Sequence, residues 1–431
     1  MSRGRRHEGV SMTMISRPAA LIFSATAAVA MLLAACSSTG DSGQNSSSAT
    51  STSTSDSSAS GSPILIGGAA PLHSPIYTEP TVQTGLQAAV DAVNASGGVN
   101  GHPLKLDFCD TQYTADGELE CARQFISDKV AAVLDPYFLA DQTGEPEQLL
   151  AAAKIPVFAA QGVSPFELQN PDVFMLASGL PGWAYGAVDA LLRAGSRNLM
   201  VMLDTNPASQ FAGALLVAAA KLAGITPRVV TGDPNSDPTF AAAAAEATRG
   251  GVDGIALFPS PADCPKMISA LRSGGYTGNL SAPSVLLSTA VIKQLGPAGN
   301  GLLEDSQVAL VTDTANKGIQ SFTAGMQKYG NDQITDAASY AWTAVQVFVQ
   351  AIAKAPSFDS AGIKAALTGV TTPVDVPTVG PWIGSGVSPL PAYPRILNPT
   401  ITYGVVKNGV VQPSAGGFVN PFTNLASYAN K

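Results

Sequence analysis

Histidine is almost absent from this sequence of 431 residues, which contains only 3. One of them, His7, lies in the N-terminal 35 residues. The others, His73 and His102, are too few for a His-rich metal centre and leave little for Ser-His-Asp catalysis, which needs a positioned base. No phosphate loop, dinucleotide fingerprint or nucleophile elbow stands in a strand-turn-helix context. The sequence therefore predicts no enzyme, no metal site and no cofactor.

Positive charge is also scarce, with 23 Lys and Arg against 31 Asp and Glu. Without the N-terminal 35 residues, 19 basic and 30 acidic residues remain, a formal charge of −11. Binding to nucleic acid or to anionic lipid headgroups requires clustered Lys and Arg. We therefore expect no nucleic-acid partner, and any membrane attachment must come from something other than charge.

The N-terminus has the pattern of a secretory signal. Four arginines precede an uncharged, apolar run of about 17 residues that ends in small side chains. That length is close to the lower limit for a membrane-spanning helix, so length alone leaves such a helix open. The sequence Leu33-Ala34-Ala35-Cys36 resembles a bacterial lipobox. This resemblance favours a signal peptide over residues 1–35 and implies cleavage before Cys36, with diacylglycerol on its sulfur.

A linker follows at 36–62, where about half of the residues are Ser and almost none are apolar. Such a stretch cannot bury enough surface to offset the entropy lost on ordering. We expect a flexible tether that holds the folded part at the outer face of the bacterial cytoplasmic membrane.

The three remaining cysteines are Cys109, Cys121 and Cys264. A disulfide between Cys109 and Cys121 would close a short polar loop and is typical of exported proteins. Two separate buried thiols are the alternative. We favour the disulfide because the loop 110–120 is polar and needs a covalent cross-link to hold it in place. Cys264 is expected to be a free, partly buried thiol.

From Pro63 onward, apolar runs of about five residues alternate with amphipathic runs. This rhythm predicts parallel sheets covered by helices on both faces. One such unit extends to about 178 and a second covers about 179–303. The sequence therefore predicts an α/β fold of two doubly wound, Rossmann-like lobes.

Several segments resemble the type I periplasmic solute-binding proteins of the branched-chain amino-acid class. The longest runs from Gly85 to Gly101, where a helix carries an Asn near its end and Gly97 and Gly98 supply a left-handed cap. Further matches are Phe108-Cys109-Asp110, the stretch 271–278 and Gly380-Pro381. The matching segments are spread over most of 63–405 and occur in the order expected for the family.

The resemblance implies two lobes that close on a ligand about a three-segment hinge. The hinge crossings are expected near 178–182, 303–312 and 395–400. Lobe I would comprise 63–178 and 304–395, and lobe II would comprise 179–303 and 396–431.

In such folds the ligand lies at the carboxyl ends of the strands, where loops and helix N-termini converge. Reading those loops gives the candidate ligand-binding residues: His73, Ser74, Tyr77, Tyr137, Phe138, Gln161, Gly162, Val163, Ser164, Asp204, Asn206, Ser260 and Ser284.

Each candidate has a structural alternative. His73 could be an ordinary loop residue, and Tyr137 and Phe138 could pack between the lobes. Asp204 and Asn206 could cap the next helix. Trp183 and Trp342 lie on helical patterns and are expected in the core or the interface.

Departures from the family bear on the ligand. Where amino-acid-binding members have an acidic residue that pairs with the ligand's ammonium group, this chain has Ser284. Their covering tyrosine is replaced by Ala208, and Tyr137 and Phe138 add aromatic surface. A serine cannot neutralise a buried cation. The pattern therefore favours a neutral, amide-like or aromatic-acid ligand over an ordinary α-amino acid.

The resemblance implies a monomeric, lipid-anchored protein that hands a small molecule to the permease and ATPase of an ABC importer. The same fold also serves ligand-sensing receptors that signal to a membrane partner, and the sequence leaves that alternative open.

Overall fold

A computed structural model describes residues 60–232, 242 and 245–429. The predicted signal peptide, the lipidation site Cys36 and nearly all of the predicted linker lie outside these residues. None of the helices within these ranges combines the length and the apolar character that crossing a bilayer requires.

The first sheet is built from short apolar runs, which are β1 (Ile64–Ala70), β2 (Leu104–Asp110), β3 (Ala132–Leu134), β4 (Val157–Ala160) and β5 (Val173–Met175). All are parallel and lie in the order β2-β1-β3-β4-β5. Every residue of β3, β4 and β5 is buried, as expected for a parallel sheet covered on both faces. This confirms the predicted doubly wound first lobe.

The strands of the second sheet are β6 (Leu199–Leu203), β7 (Arg228–Thr231), β8 (Gly254–Leu257), β9 (Asn279–Pro283), β10 (Leu303–Ser306), β11 (Thr402–Lys407) and β12 (Val410–Pro413). They lie in the order β12-β11-β10-β9-β8-β6-β7. Strands β6 to β10 pair in parallel, whereas β11 pairs antiparallel with both of its neighbours.

The helices are α1 (Pro80–Ala95), α2 (Ala115–Asp128), α3 (Glu145–Ala152), α4 (Pro165–Gln169), α5 (Gly179–Arg193), α6 (Pro207–Leu222), α7 (Cys264–Ser273), α8 (Thr289–Leu295), α9 (Lys317–Tyr329), α10 (Asp336–Ile352), α11 (Ser360–Gly369) and α12 (Pro421–Tyr428). In the first lobe, α1 packs against α9 and α10. In the second, α5 packs between the sheet and α6.

A glycine brings α1 and α10 into backbone contact. A Cβ atom at Gly85 would lie 2.6 Å from the carbonyl oxygen of Ala338, so no larger residue fits without moving a helix. The hydroxyl groups of Thr81 and Thr335 are hydrogen-bonded at 2.8 Å across the same contact. The N-termini of the two helices therefore lie side by side at one edge of the first lobe.

The chain passes between the lobes before α5, after β10 and before β11. At the first two crossings, the side-chain amide of Gln307 donates to the carbonyl oxygen of Gly179 at 2.8 Å and accepts from its N–H at 2.9 Å. Because β10 belongs to the second sheet, the second crossing begins after Ser306, whereas the predicted boundary places residue 304 in lobe I.

Helix α2 begins at Ala115, because Thr114 caps it by accepting from the N–H of Gly117.

The disulfide between Cys109 and Cys121 is present and confirms the prediction. Cys264 is free and fully buried rather than partly buried, and burial raises the pKa of its thiol to about 12.

Replacing Cys109 and Cys121 together by serine should lower the free energy of unfolding by about 3 kcal/mol, because the unfolded chain regains the freedom of the closed loop. Urea unfolding of the double variant and of wild-type protein measures this difference. Wild-type protein unfolded with a reducing agent serves as the control and should match the variant. An equal midpoint in all three samples would contradict the prediction.

Candidate functional site

A cleft lies between the two sheets, at the carboxyl ends of their parallel strands. It has two adjoining compartments of about 320 and 310 Å³. Four residues line both of them, and these are Tyr137, Gln161, Trp183 and Val285. Volumes of this size suit a small organic molecule.

The two compartments differ in chemistry. The polar compartment has hydroxyl, amide and carboxylate groups among its aromatic and aliphatic lining residues, and these polar residues include Glu79, Ser284, Ser306, Gln307, Thr335 and Asp336. The apolar compartment is walled mainly by hydrocarbon and aromatic side chains, among them Ile76, Tyr113, Leu139, Leu180, Phe258 and Leu286. No described residue lining either compartment is Lys, Arg or His.

The loop after β3 supplies Tyr137, and two buried carboxylates shape that loop. The backbone N–H of Tyr137 donates to the carbonyl oxygen of Ala69 at 2.9 Å. Asp135 is fully buried and accepts from the Gln161 amide at 2.6 Å, and burial raises its pKa well above the usual range. The carboxylate of Glu118, also fully buried, accepts three backbone N–H groups of the same loop.

Glu79 and Asp336 enter the polar compartment from the N-termini of α1 and α10, the two helices that Gly85 brings together. Glu79 accepts hydrogen bonds from the hydroxyl groups of Tyr77 and Thr81. Burial, together with the nearby Glu79, raises the pKa of Asp336 to about 6, although the N–H of Val311 donates to it. The positive ends of both helix dipoles favour the ionised carboxylates.

Two uncharged, buried polar groups of the cleft lack a hydrogen-bond partner among the described residues. Trp183 is 6% exposed and Ser306 is 1% exposed. The indole N–H of Trp183 and the hydroxyl of Ser306 find no hydrogen-bond partner among the described residues. Because buried polar groups are nearly always hydrogen-bonded, both are available to a bound molecule.

Seven of the predicted ligand-binding residues line the cleft, and they are Tyr77, Tyr137, Gln161, Val163, Asn206, Ser260 and Ser284. Asp204 does not line either compartment. Its buried carboxylate accepts from the backbone N–H groups of Asn206 and Ser260 and so positions both residues. Asn206 also caps α6, as its structural alternative expected.

The other predicted residues also lie outside the cleft lining. His73 is exposed and contacts Asp110 at 2.8 Å, and Ser74 accepts from the N–H of Ile76. Phe138 is buried in the hydrophobic core. Gly162 packs against Gly179 at the first crossing, and the Ser164 side chain caps α4. Their proposed ligand contacts stay predictions.

Sequence reasoning missed Glu79 and Asp336. Trp183 is buried in the core, as expected, and it also lines both compartments. Glu79 directly precedes Pro80, and Asp336 follows the capping residue Thr335. An acidic residue at a helix start is the signal that could have marked both carboxylates.

The cleft chemistry suits binding by hydrogen bonds, aromatic contacts and negative charge. Within the described residues, no group of three or more His, Cys, Asp and Glu could hold a metal ion.

Comparisons with known proteins agree with this arrangement. A family model described as periplasmic binding protein matches residues 63–384. No curated protein matches the sequence.

Solved structures similar to this chain share its fold at low identity. A leucine-binding protein from Thermotoga maritima is 20% identical, with 83% of this chain and 99% of that chain covered and a TM-score of 0.68. A branched-chain amino acid transporter substrate-binding protein from Streptococcus pneumoniae, in complex with isoleucine, is 16% identical, with coverages of 83% and 99% and a TM-score of 0.65. An ABC transporter solute-binding protein from R. palustris, in complex with benzoate, is 18% identical, with coverages of 83% and 97% and a TM-score of 0.63.

Proposed function

The chain belongs to the periplasmic binding protein family, and from that premise we propose that it is an exported, lipid-anchored solute-binding protein. It binds a small molecule between its lobes and delivers it to the permease and ATPase of an ABC-type importer. Cys36 carries the lipid anchor, and the Ser-rich linker allows the folded part to reach the permease.

The observation that carries this proposal is the cleft with residues of both lobes in its walls. Tyr137 and Gln161 come from the first lobe, whereas Asn206, Ser260 and Ser284 come from the second. A solute that contacts both sets favours the closed arrangement over the open one, because a ligand shifts such an equilibrium through its differential affinity. Closure then gives the importer a signal that the protein is loaded.

The apolar compartment favours a solute with an aliphatic or aromatic body. Phe258, Leu180 and Trp183 provide large apolar surfaces, and relatives with this fold bind isoleucine and benzoate. The neutral, amide-like compound expected from the sequence suits the hydroxyl groups of the polar compartment. An aromatic acid is less suited, because its carboxylate would meet no Lys, Arg or His among the described lining residues.

A thermal-shift screen of purified full-length protein in mild detergent tests the proposal, with intrinsic tryptophan fluorescence as the readout. Binding to the native state raises the melting temperature in proportion to ln(1 + [L]/Kd). A rise with one chemical class of small solutes is expected. No rise with any of several hundred amino acids, amides, amines, organic acids and sugars would contradict a solute-binding function.

Replacing Trp183 by alanine should weaken binding of the best solute from that screen by about 10- to 100-fold, since a buried aromatic wall of both compartments is lost. Isothermal titration calorimetry measures this loss. Trp183→Phe keeps an apolar ring but loses the indole N–H. Its affinity for the solute should therefore lie between those of wild-type protein and of Trp183→Ala. An unchanged affinity in the alanine variant would place the solute elsewhere.

A further inference from the structure

Two carboxylates of the polar compartment have no cationic partner among the described residues. Glu79 accepts only from hydroxyl groups, and Asp336 accepts from the N–H of Val311. The second carboxylate oxygen of Asp336 is buried and makes no hydrogen bond. A carboxylate oxygen that is buried without a counter-charge costs free energy, and a cationic group beside Asp336 would lower that cost.

A third carboxylate lies behind this pair. Glu304, on β10, is 1% exposed, and one of its oxygens has no hydrogen-bond partner among the described residues. Glu304 and Asp336 line the same small cavity, and burial, together with the nearby Asp336, raises the pKa of Glu304 well above its usual range. A third acidic group therefore lies beside Asp336.

The same compartment also contains uncharged polar groups that could hydrogen-bond to a ligand. The indole N–H of Trp183 and the hydroxyl of Ser306 are buried and unpartnered, and both residues line the polar compartment. The rings of Tyr77, Tyr137 and Tyr340 line it as well. Aromatic faces attract organic cations, most strongly where water is excluded.

We propose that the polar compartment binds the protonated amino group of an organic amine between Glu79 and Asp336, with the tyrosine rings around it. This inference rests on the proposed solute-binding function and names the chemical class of the solute. The amine carries an aliphatic or aromatic body, which enters the apolar compartment past Trp183. Where that body carries a hydrogen-bond acceptor, the Trp183 indole N–H donates to it.

This site replaces the missing charge at Ser284. Ser284 lies on the second lobe, whereas Glu79 and Asp336 lie at helix N-termini of the first lobe. The amine is therefore held from the opposite side of the cleft, and the departure at Ser284 does not exclude a cationic solute.

Matched compounds separate charge from shape. Titration calorimetry on full-length protein in mild detergent would use 2-phenylethylamine, 2-phenylethanol and 3-phenylpropanoate, together with the corresponding triplets on butyl and cyclohexyl skeletons. In each triplet that binds, the amine should bind at least about tenfold more tightly than the alcohol, and the acid should bind most weakly.

Charge-removing variants test the assignment to these two residues. Asp336→Asn and Glu79→Gln should each weaken amine binding at least about tenfold and weaken alcohol binding much less, so that the preference for the amine over the alcohol is lost. Asp332→Asn is the matched control, because Asp332 is exposed in the loop before α10. Its melting temperature and amine affinity should equal those of wild-type protein.

Amine binding should weaken at low pH. Burial raises the pKa of Asp336 to about 6, and the carboxyl groups that face it are Glu79 and Glu304. The amine needs the ionised carboxylate, so its affinity should fall about tenfold between pH 7.5 and pH 5. Asp336→Asn should reduce this dependence, and the alcohols should not show it.

The outcomes distinguish this inference from the broader function. A best-binding acid or alcohol, or amine affinities that Asp336→Asn and Glu79→Gln leave unchanged, would overturn the amine site while solute binding stands. No binding by any amine would also overturn it. If the larger solute screen failed as well, the proposed function would fall with it.

Discussion

Replacing Glu118 by alanine is expected to lower the free energy of unfolding by about 3–5 kcal/mol and to abolish tight solute binding. The carboxylate accepts from the backbone N–H groups of Leu139 and Ala140 at 2.7 Å and of Asp141 at 2.8 Å. Without it, three donors of a partly buried loop lose their acceptor, each at a cost of about 1–3 kcal/mol before solvent compensates. Because this loop also carries Tyr137, the cleft should lose its shape together with the stability.

Glu120→Ala provides the matched control, since Glu120 lies on the same helix and is exposed. It should change the free energy of unfolding by less than about 0.5 kcal/mol. Urea unfolding and calorimetric titration of both variants measure the two effects. Equal stabilities of the two variants would mean that water or neighbouring side chains replace the Glu118 carboxylate.

The two-lobed fold could be predicted because its strands are apolar on both faces. Runs such as Val157–Ala160 are buried throughout, and buried runs separated by amphipathic stretches are typical of parallel sheets. Strand β10 was missed, since its sequence Leu303-Glu304-Asp305-Ser306 contains two acids. Acidic residues are uncommon in buried strands, so this strand could not be recognised from its sequence, although it lies inside the sheet between β9 and β11.

The cleft residues on strand-end loops could be predicted from strand order alone, as Tyr137 and Ser260 illustrate. The carboxylate pair could not. Glu79 and Asp336 are far apart in the sequence and meet only because Gly85 allows α1 and α10 to touch. The hydrophobic pattern of a sequence cannot predict a contact between two helices that are distant in that sequence.

The sequence also could not show which side chains of a strand-end loop point into the cleft. Asp204 follows β6 as a ligand-binding residue would, and its carboxylate, outside the cleft lining, accepts from two backbone N–H groups. Phe138 and Tyr137 are adjacent, and one enters the core while the other enters the cleft. The local backbone path decides between these outcomes, and it depends on partners such as Glu118.

The substitution Gly179→Ala is expected to lower the free energy of unfolding by about 4 kcal/mol, from a backbone clash at the first crossing between the lobes. A Cβ atom at Gly179 would lie 2.8 Å from the Cα and 2.9 Å from the carbonyl oxygen of Gly162. Gly179 also has a φ of +59°, which disfavours alanine by about 1 kcal/mol. Relief of the clash requires a backbone shift, and that shift would break the paired hydrogen bonds between Gly179 and Gln307.

Gly417→Ala separates the cost of the steric clash from the cost of the positive φ. Gly417 has a φ of +60°, and a Cβ atom there would meet nothing within 4 Å. That variant should lose only about 1 kcal/mol, the part due to φ. Urea unfolding of both variants gives the difference due to the clash, and titration with the best solute reports on the crossing. We expect weaker binding in Gly179→Ala alone, because the bonds that fix the crossings also set how the lobes close. Equal losses in both variants would show that the two crossing segments can separate freely and that the Gly162–Gly179 contact does not hold them.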